Sequence, residues 1–169
     1  MTRLTLILCL FFSSQFLMAQ ESFTLYLVRH AEKELDTSDE PDLTYCGFQR
    51  ADWFAKYLKD EPIEMVHSTK FLRTMHTARP TADQFDLGIQ EYAPNDLGRF
   101  AEELLNDGQN ALVVGHSNTT GVLAGILANE EGKLLEILDS EYDKIFVVTV
   151  SGNDINLVVE ESDFECQYK

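Results

Sequence analysis

Two short apolar runs constrain how this chain can fold. One is Phe23 to Val28, FTLYLV, and the other is Ala111 to Gly115, ALVVG. Neither alternates apolar and polar residues as a strand with one wet face does. Near-continuous apolar runs of this length read as strands buried on both faces, the pattern of a parallel sheet covered by helices. Both runs also end abruptly. Arg29 and His30 follow the first, and His116 follows the second. In open α/β sheets, ligands bind outside the carboxyl ends of the strands. The same ending could belong to strands that simply emerge into water, so the rest of the chain must decide.

The segments between the runs are helical. Thr44 reads as an N-cap, and the apolar residues Phe48, Ala51, Trp53, Phe54, Tyr57 and Leu58 follow, with the spacings of three and four of an amphipathic helix. Ile63 to His67 is a further strand. Ser68 to Phe85 reads as a second helix, with Arg73, His76 and Thr77 on one face and a break or kink at Arg79-Pro80. Leu87 to Tyr92 is a third strand candidate. Asn95 or Asp96 caps a helix that Asn106-Asp107-Gly108 stops. Thr119 to Ala128 is a helix rich in small residues, and Glu130 to Tyr142 is acidic and irregular. Ile145 to Val150 and Asp154 to Val159 form a hairpin through Ser151-Gly152-Asn153, and the acidic tail from Glu160 reads as frayed. This order predicts an α/β fold, a three-layer sandwich. Its central sheet is mostly parallel, with helices on both faces and an antiparallel edge. One domain, residues 20–169, holds all of it.

Residues 1–19 are a separate object. Arg3, the apolar run Leu4 to Phe12 and the small residue Ala19 follow the order of a secretory signal peptide. The apolar run is too short to span a membrane. Export, to a periplasm or to the outside, is therefore expected, with no membrane span after cleavage. Cys46 and Cys166 would remain in the mature chain. An oxidising compartment permits a disulfide between them, although nothing in the sequence brings them together. Neither has His and acidic neighbours at metal-ligand spacing, so no metal and no cofactor is expected. The formal net charge of −16 disfavours nucleic acid and anionic lipid as partners. Any anion site in such a chain must be a local positive island.

Arg29, His30, Arg73 and His116 form that island if the strand ends are neighbours. Arginine offers a planar fork that matches phosphate oxygens. Histidine can attack phosphorus through a ring nitrogen, giving a covalent intermediate that water cleaves. Cationic side chains can neutralise the equatorial oxygens without a metal.

LVRHAEK, STKFLRTMHTA and VVGHSNT, in that order, together with DLTYCGFQRA, resemble the histidine phosphatase superfamily in its phosphoglycerate-mutase-like branch. Ala31 stands where many members have glycine, and the long insertions of the mutases are missing, as in small exported members. The resemblance implies that His30 is the nucleophile and transient phosphohistidine. It implies that Arg29, Arg73 and His116 bind the phosphoryl group, with His116 charged, and that the optimum lies at acidic to neutral pH. Many relatives protonate the leaving group with a carboxylate after the third strand. Glu91 and Asp96 are the candidates here, and Glu32 is a third by proximity; each also reads as a surface carboxylate or cap. The expected function is a metal-independent phosphomonoesterase acting on a small phosphorylated substrate. The alternatives are a phosphate-binding module with little turnover and a protein phosphohistidine phosphatase. Substrate and oligomeric state are not written in the sequence.

Overall fold

The computed structural model describes residues 22–35, 39–130 and 135–168; the expected signal peptide lies outside these residues. Six strands form one sheet: β1 (Ser22–Arg29), β2 (Met65–Ser68), β3 (Ile89–Glu91), β4 (Ala111–Gly115), β5 (Lys144–Ser151) and β6 (Asp154–Glu161). Their order is β3-β2-β4-β1-β5-β6. The first four run parallel. β5 and β6 add an antiparallel edge, β5 against β1 and β6 against β5. Four helices connect them: α1 (Tyr45–Tyr57), α2 (Leu72–Gln84), α3 (Leu97–Asp107) and α4 (Thr120–Leu127). The expected α/β sandwich with a mostly parallel sheet is the observed fold.

The strand side chains split between two cores with the period of two that a pleated strand imposes. Leu25 and Leu27 of β1, Val113 of β4 and Phe146 of β5 pack with Phe100 and Leu104 of α3 and with Leu123 and Leu127 of α4. Tyr26 and Val28 of β1, Leu112 and Val114 of β4 and Ile145 of β5 face the other way. They pack with Phe54 and Leu58 at the end of α1 and with Ala78 and Ala82 of α2. Thr44 caps α1 by accepting from the Gly47 N–H at 3.0 Å. Asp96 caps α3, which ends at Gly108 in the left-handed region, φ 62°, where glycine carries no Cβ penalty.

Three local expectations are corrected. Helix α2 runs through Pro80 without a break. Proline removes one helical donor, but the next turn still closes, with Phe85 N–H donating to Thr81 O at 3.2 Å. Ala78 and Ala82, on either side of the proline, are fully buried against the sheet, so packing holds the helix where propensity would end it. The same helix starts at Leu72 rather than Ser68, which leaves a loop over residues 69–71. The tail is not frayed. β6 continues to Glu161, and Cys46 and Cys166 form a disulfide with Cα atoms 5.3 Å apart. Gln49 clasps the Gln167 backbone in both directions, accepting from its N–H and donating to its carbonyl at 3.0 and 3.1 Å. The Arg50 guanidinium lies 4.4 Å over the Phe164 ring.

The disulfide closes a sequence separation of 120, and cross-linking so long a loop restricts the unfolded chain strongly. Replacing both cysteines by serine is expected to lower stability by roughly 2–4 kcal/mol and to expose the tail beyond Glu161 to protease. Urea unfolding and limited proteolysis of the variant beside the oxidised protein check this.

Candidate active site

The register of the sheet places the cationic residues. Arg29 at the end of β1 pairs with Gly115 at the end of β4, and Ser68 at the end of β2 pairs with Val114. The pairing carries one residue further, because His30 N–H donates to Gly115 O at 2.9 Å. Gly115 has no room for a side chain: a Cβ there would lie 2.7 Å from Tyr92 Oη and 2.8 Å from Thr120 Oγ1. Helix α2 holds the other side of the loop. Ala31 N–H donates to Thr77 Oγ1 at 2.9 Å, and Thr77 donates to Arg73 O at 2.7 Å.

Arg29, His30, Arg73 and His116 line one cleft of about 430 Å³, with Lys33, Phe71, Asn95, Ser117 and Asp139 among its other walls. The two imidazoles stand edge to face, 5.6 Å between centroids. His30 Nδ1 lies 2.8 Å from the Ala31 carbonyl. A carbonyl only accepts, so Nδ1 carries the hydrogen and Nε2 keeps its lone pair. Arg29 is held by the irregular segment before β5. Its Nη1 donates to the carbonyls of Leu138, Asp139 and Glu141 at 2.9–3.0 Å. The Tyr142 ring lies 4.2 Å from its Cζ. Lys144 holds that segment, donating to the Glu136 carbonyl and the Glu141 carboxylate. The Nε atoms of Arg29 and Arg73 are buried and have no hydrogen-bond acceptor among the described residues. Two guanidinium groups lining one cleft are the equipment of an oxyanion site.

Burial is the main cause that lowers His30 to a pKa of about 3, and Arg29, His116 and Arg73 add repulsion. Burial, then Arg73 and Arg29, lowers His116 to about 4. Burial also lowers Arg73. A neutral His30 is what a nucleophile requires. The expectation that His116 is charged is not met by the protein's own field, because desolvation and two guanidiniums oppose a third cation.

The carboxylates are placed elsewhere. Asp96 is the α3 N-cap, accepting from Arg99 N–H at 3.3 Å. Glu91 ends β3 and lines neighbouring hollows with Tyr92, outside the cationic cleft. Glu32 is gripped by Arg50, with three N–H···O contacts of 2.8–3.1 Å. Asp139 is the one carboxylate along the cleft wall among the described residues. Its Oδ1 accepts from Ser117 at 3.2 Å and lies 3.7 Å from Arg29 Nη2. His67 packs on Phe100, and His76 bonds Asp42; neither lines the cleft. Lys33 stood inside the quoted motif without a role. The clasp on Arg29 had no signal at all, since it consists of backbone carbonyls in an irregular segment.

A family model described as the histidine phosphatase superfamily (branch 1) matches residues 25–93. That span contains Arg29, His30 and Arg73 and stops before His116. Three solved structures share the fold. The protein histidine phosphatase SixA, complexed with tungstate, is 22% identical, with a TM-score of 0.69 over 82% of this chain and 97% of its own. The alpha-ribazole phosphatase from Shigella flexneri is 18% identical, TM-score 0.64, over 83% and 96%. Phosphoglycerate mutase from Bacillus anthracis is 16% identical, TM-score 0.59, over 85% and 94%. No curated protein matches the sequence. The family model spans less than half of this chain and the solved structures share its fold, so the chain is similar to the histidine phosphatase superfamily in motif order and in architecture.

The buried rings set a pH dependence of stability. Both histidines are neutral in the fold down to about 4 or below, whereas in the unfolded chain they bind protons below about 6.5. Their contribution is complete above that pH and is lost as pH falls. The expected slope is about 1 kcal/mol per pH unit for each ring, after screening at the cleft mouth. Urea unfolding at pH 7.5 and 5.0 should show a steeper acid loss in the native protein than in His30→Asn/His116→Asn. Equal slopes would contradict the assignment.

Proposed function

We propose that this protein is a metal-independent phosphomonoester hydrolase that works through a phosphohistidine at His30 Nε2. The bond from His30 Nδ1–H to the Ala31 carbonyl carries the reading, because it frees Nε2 as the nucleophile and fixes the ring's direction. Arg29 and Arg73, which line the cleft, hold the phosphoryl oxygens with their guanidinium groups. Nε2 attacks phosphorus, the bond to the leaving oxygen breaks, and water then cleaves the phosphorus–nitrogen bond to release phosphate. Phosphoryl transfer of this kind needs positioning and charge more than covalent chemistry, and a cluster of cationic side chains supplies both. The tungstate in one relative is a tetrahedral oxyanion and supports a phosphate-like ligand.

A small phosphorylated substrate fits a cleft of about 430 Å³. Export is part of the same proposal; the order of residues 1–19 and the Cys46–Cys166 disulfide support it. No carboxylate buried in the cleft stands ready to protonate a leaving group among the described residues, which favours esters whose leaving groups depart as stable anions. The same observation supports the second reading, a phosphate-binding module with little turnover.

Purified protein should hydrolyse p-nitrophenyl phosphate in EDTA. His30→Ala should abolish this, and Arg73→Ala should reduce kcat/KM by roughly 10²–10³-fold. Among aryl phosphates, rates should fall as the leaving-group pKa rises. Quenched turnover should leave an acid-labile, alkali-stable phosphoryl label that His30→Ala lacks. Phosphate binding without turnover of any ester would instead establish the binding module.

A further inference from the structure

The loop after β2 places a buried hydroxyl against His116. Thr69 Oγ1 lies 2.9 Å from His116 Nε2 and 2.9 Å from Thr74 Oγ1. Thr74 Oγ1 in turn lies 2.9 Å from the Thr69 carbonyl and 2.8 Å from the Phe71 carbonyl. Thr69 and Thr74 are 0% exposed, and His116 is 9% exposed, so water does not confuse the proton count. A hydroxyl has one hydrogen, and carbonyls only accept. The Thr74 hydrogen therefore goes to a carbonyl, and Thr74 Oγ1 accepts from Thr69. That uses the only Thr69 hydrogen. Thr69 Oγ1 is left to accept, and the hydrogen between it and His116 belongs to Nε2.

We propose that the Thr74–Thr69–His116 relay locks His116 as the Nε2–H tautomer, turns a proton-accepting Nδ1 to the cleft, and so couples oxyanion binding to the uptake of one proton. This rests on the phosphate-cleft reading. A phosphate dianion facing a neutral ring in this tautomer would meet lone pair with lone pair. A monoanion resolves the conflict. Its P–O–H proton passes to the Nδ1 lone pair, and the new N–H donates back to the phosphoryl oxygen. With a dianion, the proton comes from solvent. Thr69 and Thr74 are positioning residues in this scheme.

The groups around His116 suit such a switch. Arg29 and His30 face it from the end of β1, Lys33 from the loop beyond, Arg73 from α2 and Asp139 from the segment before β5. The Phe71 ring stands edge-on at 5.1 Å. Burial and the two guanidiniums keep the free ring neutral. An oxyanion between those guanidiniums reverses the sign of the local field and favours the imidazolium.

Two measurements decide the proposal, and neither uses turnover. Long-range ¹H–¹⁵N spectra of the unliganded protein should show His116 as the Nε2–H tautomer. Thr69→Val should shift it toward Nδ1–H, Thr69→Ser should restore it, and Thr74→Val should give a mixture, because the Thr69 hydrogen becomes free to turn. Calorimetry with inorganic phosphate at pH 8, in buffers of different ionisation heat, should report uptake of close to one proton. Phosphate affinity should then fall about tenfold per pH unit between pH 8 and 9. In Thr69→Val both the uptake and the slope should shrink. An Nδ1–H tautomer in the native protein overturns the relay. Binding without proton uptake, or a Thr69→Val profile like the native one, overturns the coupling. Failure to bind phosphate would overturn the coupling and the cleft reading together, and the spectra would still judge the relay; failure to turn over esters would touch only the hydrolase reading.

Discussion

The parallel pairing of β1 with β4 is the contact on which the site depends. Its register sets Arg29 level with Gly115, and the His30 N–H extends the ladder by one bond to the Gly115 carbonyl. Two histidines 86 residues apart, His30 and His116, thereby leave the sheet side by side. A one-residue slip would send every side chain of β1 to the opposite face. Leu25 and Leu27 would exchange cores with Tyr26 and Val28, so the packing of four helices guards the alignment of two imidazoles. Gly115 is part of the same device, because a side chain at that point would push the β4 end away from Tyr92 and Thr120.

The cleft gathers positive charge in a chain of formal net charge −16. The carboxylate on the cleft wall among the described residues, Asp139, is exposed and lies 3.7 Å from Arg29. Arg29 is steadied by three backbone carbonyls and an aromatic face, and those dipoles orient the guanidinium without cancelling its charge. The carboxylate of Glu32, two residues from His30, is drawn away by Arg50 on α1. The same Arg50 bonds Ser162 and lies over Phe164. The disulfide-anchored tail and the loop beside His30 thus share one residue. Burial then keeps both imidazoles neutral.

Much of the fold was legible because it follows from local rules. The short, near-continuous apolar runs rich in β-branched residues read as buried strands, Thr44 reads as a cap by its side-chain chemistry, and Gly108 ends a helix because it tolerates positive φ. The rules failed where distant packing outweighed local preference. Pro80 sits inside a helix that the sheet holds on both sides of it. Two cysteines 120 residues apart carried no sign that a tail would cross α1 to join them.

The sequence by itself determined which residues are available for chemistry: strand ends carrying Arg29, His30 and His116, and a helix carrying Arg73, in an order shared with a phosphatase superfamily. Only the tertiary structure decided what each of them can do. The Ala31 carbonyl takes the Nδ1 hydrogen of His30 and leaves the Nε2 lone pair free. Backbone carbonyls aim Arg29, and a buried threonine pair sets the tautomer of His116. Capping assigns Asp96 to a helix end, and Arg50 assigns Glu32 to structure. Tautomers, proton positions and field signs depend on atoms a few ångströms away in space. Those atoms come from segments dozens of residues distant, so no spacing along the chain encodes them.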